Sequence, residues 1–163
     1  MNNMKLPVGI SDFHKLRQNE YYYVDKTNLI KELLESRIAE VTLITRPRRF
    51  GKTLTMSMTE QFFSLEYAGR SDLFENLEIW KNEEYRRLQG AYPVISLSFA
   101  RIKERDYEKT KQKMCEILRN IYIKFSYIKE SARLTDADRA YYDRMLAEDI
   151  RDILALSVIR FSL

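Results

Sequence analysis

Glycine and proline are scarce in this chain, with four and three in 163 residues. Nowhere do they gather into a flexible linker, so the length predicts one domain, taken over residues 5–163. Cysteine occurs once, at Cys115, which excludes an internal disulfide and fits a reducing, cytoplasmic setting. Histidine also occurs once. His14 has no cysteine or acidic cluster at ligand spacing, so it reads as a surface side chain rather than a metal ligand or catalytic base. No apolar run approaches the ~20 residues of a membrane span, and Met1 to Pro7 lacks the apolar segment of a secretory signal. Neither sign of charge dominates. The net charge is +4 (28 basic minus 24 acidic), with both signs interspersed and no basic tail to announce nucleic acid.

What the chain does have is a hydrophobic share of 45%, sufficient for a core, and one informative stretch. Val41 to Ile44 is a short apolar, β-branched run that reads as a buried strand, and Pro47 and Gly51 punctuate the basic loop after it. From Leu54 the period changes. Leu54, Met58, Phe62 and Leu65 recur at three- and four-residue spacing, as on one face of a helix. Lys52 and Thr53 then fall in a first helical turn, where unpaired N–H groups and the helix dipole favour an anion. The residues match GxxxxGK[ST] at Gly51, Lys52 and Thr53, while Arg46 stands where the first glycine belongs. In that pattern the loop backbone curls round a nucleotide's phosphates, the lysine reaches their oxygens and the hydroxyl binds Mg²⁺. The expected nucleotide-binding residues are Arg48, Arg49, Phe50, Gly51, Lys52 and Thr53, with ATP and Mg²⁺ as cofactors and Thr53 the metal contact; for Arg48 and Arg49 a solvated or Asp-paired role is the alternative.

Three segments together carry a resemblance. Leu6 to Phe13 (LPVGISDF), Tyr21 to Thr27 (YYYVDKT) and Thr42 to Thr53 (TLITRPRRFGKT) resemble the predicted AAA-ATPase-like family of bacteria and archaea, and Tyr92 to Phe99 is similar to that family's next strand. The resemblance covers roughly residues 5–150. In that family arginine in place of the first glycine is usual, which accommodates Arg46. The resemblance implies an α/β, P-loop NTPase-like fold with helices around a short parallel sheet. It also implies a later acidic motif and, in many relatives, a nuclease domain of PD-(D/E)XK type; neither is found in this chain.

Elsewhere the local signals are ordinary. Tyr21 to Val24 has strand composition, and Asp25 or Thr27 caps a helix reaching about Ser36. Asp25 reads as a helix cap, while the VDKT resemblance implies a corner close to the nucleotide. Trp80 follows an apolar patch and reads as packing rather than base stacking. Val94 to Phe99 alternates apolar and serine residues like a strand. Residues 105–130 read as a helix with a seam through Tyr107, Met114, Leu118, Ile121, Phe125 and Ile128. Thr135 and Asp138 form a capping-box-like start for a last helix carrying Tyr142, Leu146, Ile150 and Ile153.

An ATPase of this class needs an apolar strand ending in an acid to orient Mg²⁺, with a neighbouring glutamate to activate water. None follows residue 53: Val158 to Phe161 begins like a strand but carries Arg160, and Tyr23-Val24-Asp25 precedes the loop. Catalytic residues are thus unknown, hydrolysis is in doubt, and the sheet is expected to be incomplete at its C-terminal side. Two readings compete with nucleotide binding. One is a nucleic-acid module using Arg46, Arg48, Arg49 and Lys52 against backbone phosphates. The other is a truncated remnant that depends on a protein partner, or on a missing C-terminal region, to complete its sheet.

Overall fold

The computed structural model describes residues 5–36, 41–45, 47–100 and 102–147. The chain divides into two compact units, residues 1–94 and 95–163.

Among its described residues the first unit has four helices, α1 (Phe13–Gln18), α2 (Asn28–Glu35), α3 (Lys52–Phe63) and α4 (Glu83–Arg86), with three 3-10 turns between α3 and α4. Asp12 starts α1 by accepting the Lys15 N–H on its carboxylate, as short acidic side chains do at helix starts. In α3 the expected apolar face forms through Met58 and Phe62, both fully buried, with Leu54 packed at its edge. Leu65 lies beyond the helix and stays exposed. Phe74 is the hub of the core. Its ring meets Phe62 edge-on at 5.1 Å, Phe13 at 5.3 Å and Trp80 in a stack at 6.4 Å. Trp80 is thereby a packing residue, with the Arg86 guanidinium over its ring, 5.9 Å from the centroid. Each buried phenylalanine contributes about 1.5–3 kcal/mol of transfer free energy. Gly90 closes the unit against α3: its N–H donates to the Phe62 carbonyl at 2.8 Å, and a Cβ there would fall 2.4 Å from the Ala68 Cα.

The parallel sheet expected from the sequence is not formed among the described residues. Residues 21–24, 41–45 and 94–99 contain no strand. Among the described residues, parallel pairing is confined to two isolated bridges, Lys5 with Tyr21 and Ser64 with Tyr92. The reason is physical: β-branched composition makes a segment suited to a sheet, but a strand exists only when a neighbour takes its backbone hydrogen bonds. The run at 41–45 has no such neighbour among the described residues. Far from being buried, Val41 is 84% and Leu43 82% exposed.

The second unit pairs α5 (Tyr107–Lys124) with α6 (Asp136–Leu146). The capping box read at Thr135 is present in full. Its hydroxyl accepts the Asp138 N–H at 3.2 Å, and the Asp138 carboxylate accepts the Thr135 N–H at 2.9 Å. The buried seam of α5 is Cys115, Leu118, Tyr122 and Phe125, rotated by about one residue from the expected line, while Tyr107 is 74% exposed. Helix α6 decides this, since it presents Tyr142 and Met145 to Cys115, Leu118 and Tyr122. The Tyr142 hydroxyl also donates to the Tyr122 carbonyl, drawing that side of α5 inward. Ile150, Ile153 and the run at Val158 lie outside the described residues.

Candidate functional site

The loop before α3 turns sharply at Arg48 and Arg49. Arg49 has φ 69° and Gly51 φ 78°, so two left-handed residues lie two positions apart. For glycine this conformation costs nothing; for arginine it is strained by about 1–3 kcal/mol, and such strain gathers at functional loops. Left-handed residues are also how a short loop turns successive N–H groups toward one side.

Gly51 is the N-cap of α3 and brings no side chain to cap it. The first intrahelical bond is made by the Thr55 N–H to the Gly51 carbonyl at 2.8 Å. No acidic residue occupies the first turn. The positive end of a twelve-residue helix is therefore presented without an internal counter-charge. Arg48, Arg49, Phe50, Lys52 and Thr53 are all exposed around it, and Gly51 is half-buried. Of the residues proposed from the sequence, 48–53 thus share one loop and helix turn. Arg46 lies outside the described residues.

A second segment meets this loop. The Lys26 ammonium donates to the Phe50 carbonyl at 3.2 Å and sits 3.3 Å from where a Gly51 Cβ would be. Its own segment is held from three directions. The Asp25 carboxylate accepts the Thr27 N–H at 2.8 Å and the Thr27 hydroxyl at 2.7 Å, and its other oxygen accepts the Glu78 N–H at 2.7 Å. The fully buried Thr27 hydroxyl accepts the Ile79 N–H at 3.1 Å. The Tyr23 hydroxyl donates to the Met58 sulfur of α3 at 3.1 Å and accepts the Lys26 N–H at 3.3 Å. Burial pushes the Tyr23 phenol up to about 12, so it remains a neutral donor. Asp25 is consequently both a local turn-former before α2 and a latch to residue 78.

The contact of Lys26 with the loop spans 24 residues of sequence, and no periodicity or spacing announces it. The only signal was the VDKT segment itself. His14 is half-buried, with its ring edge-on to Tyr67 at 6.4 Å. Among the described residues no group of three histidine, cysteine or acidic side chains is placed to hold a metal ion, and no helix is long and apolar enough to cross a membrane. A separate cavity of about 390 Å³ is lined by Asn28, Lys31, Glu78, Lys81, Glu83 and Tyr85.

Comparison with known proteins adds two findings. The family model described as Predicted AAA-ATPase matches residues 7–158. An uncharacterized protein in the vnfD 5′ region of Azotobacter chroococcum mcd 1 is 35% identical over 119 residues, covering 72% of this chain. The chain spans 21% of that relative's length. No solved structure matches.

Proposed function

Because the chain belongs to the Predicted AAA-ATPase family, we propose that residues 48–53 bind the phosphates of a nucleotide, ATP with Mg²⁺. The observation that carries this reading is the uncapped start of α3, reached through left-handed Arg49 and Gly51 with Lys52 and Thr53 in the first turn. Backbone N–H groups and the helix dipole supply a site for the anion. Lys52 adds a point charge for the outer phosphate oxygens, and the Thr53 hydroxyl offers an oxygen ligand suited to Mg²⁺. Arg48 and Arg49 bring further positive charge to the same loop, and Phe50, 61% exposed, stands between Arg49 and Gly51.

Titration of ATP with Mg²⁺ against the chain and its Lys52→Ala variant tests this. A charged hydrogen-bond donor lost from the phosphates corresponds to weakening by about 10- to 100-fold, with the melting temperature kept because Lys52 is exposed. Equal affinity in both proteins refutes the assignment. Thr53→Ala is expected to weaken binding only when Mg²⁺ is present. The same loss in chelator means the hydroxyl is not a metal ligand.

A further inference from the structure

We propose that Lys26 is a positioning residue of the phosphate loop: by holding the Phe50 carbonyl it aims the Gly51 N–H at the bound phosphates. The inference rests on the reading of residues 48–53 as that loop, and it assigns a role to the VDKT segment that local helix capping leaves unexplained.

The argument starts from one peptide unit. The Phe50 carbonyl and the Gly51 N–H belong to the same planar group, and no described peptide bond is cis. In a trans peptide the two point in opposite directions. Whatever fixes the carbonyl therefore fixes the N–H. A peptide followed by glycine is also the one most easily turned over, because glycine accepts φ of either sign. Left alone, this unit would present either its donor or its acceptor to an incoming anion. An acceptor facing a phosphate repels it.

Lys26 decides between the two states. Its ammonium, 3.2 Å from the Phe50 oxygen, favours the orientation with the carbonyl on its own side, and so the N–H on the other. Lysine suits the task because it donates and cannot accept. It is exposed, so it does not act by filling the core. Its backbone is not free to drift, since Asp25 is bonded to Glu78, Thr27 to Ile79, and Tyr23 to Met58 of the very helix the loop begins. The tether and the loop thus share one frame. Gly51 completes the fit from its side: a Cβ there would press on the Lys26 ammonium at 3.3 Å.

The test uses the full chain with Lys26→Ala, Lys26→Arg and Lys52→Ala. Two readouts are taken: affinity for ATP with Mg²⁺, and the Gly51 amide NMR shift without nucleotide. The proposal expects Lys26→Ala to lose about tenfold in affinity, to move the Gly51 amide shift in the free protein and to leave the melting temperature unchanged. Lys26→Arg keeps a donor with similar reach and should restore most of both readouts. If Lys52→Ala loses binding while Lys26→Ala matches the parent in affinity and in the Gly51 amide shift, the inference is wrong and the loop assignment stands. If Lys52→Ala binds like the parent, the loop assignment fails and this role for Lys26 fails with it.

Discussion

Tyr23 joins the Lys26 segment to α3 through one hydroxyl, bonding Met58 and the Lys26 N–H at 3.1 and 3.3 Å. Burial raises its pKa from 10.0 to about 12, and burial does the same to Tyr122 between α5 and α6. The folded state favours the neutral phenol in both cases. Their contribution to stability is therefore complete below pH 10 and is lost as pH climbs toward 12. Ultraviolet titration should show a late tyrosine fraction that ionises together with unfolding. Tyr23→Phe should make alkaline unfolding less steep. Ionisation of every tyrosine near pH 10 with the fold intact contradicts the assignment. At this scale the sequence was readable where chemistry is local. Gly51, Lys52 and Thr53 follow one another, and their joint place at a helix start needs only a change of period to be seen. The left-handed Arg49 was not readable, because arginine has no preference for that conformation. Nor was the grip of Lys26 on Phe50, which the chain makes across 24 residues.

Helices were legible as elements because their signals are internal to them. Asp106 accepts the Lys109 N–H at 3.0 Å to start α5, and Thr135 and Asp138 exchange bonds to start α6. Replacing Thr135 by alanine removes the hydroxyl half of that box and should destabilise the second unit by about 1 kcal/mol. Thermal melting followed by circular dichroism measures it. No change in midpoint would mean that packing of Tyr142 and Met145 holds α6 without its cap. Strands were misread for the converse reason. Val41 to Ile44 and Val94 to Phe99 have suitable residues, but a strand is a relation between two segments, and among the described residues no second segment lies along either. The seam of α5 shows the same dependence more mildly. Its own apolar residues permit two neighbouring stripes, and the α6 side chains select the one through Cys115, Leu118 and Tyr122.

On the scale of the whole molecule, the chain matches its family over residues 7–158 and yet spans only 21% of one relative. The first unit contains every part of the proposed site: α3 with its basic loop, and the Tyr23–Thr27 segment that grips it. The second unit is held by its own small core. The central claim is that the start of α3 receives phosphate, and the most direct test is to see which backbone amides answer to nucleotide. In amide NMR spectra of the full chain, ATP with Mg²⁺ should shift Gly51, Lys52, Thr53 and Leu54 most, with those shifts abolished in Lys52→Ala. Shifts centred on the cavity beside Asn28, Lys31 and Lys81, or no shifts at saturating nucleotide, would contradict it.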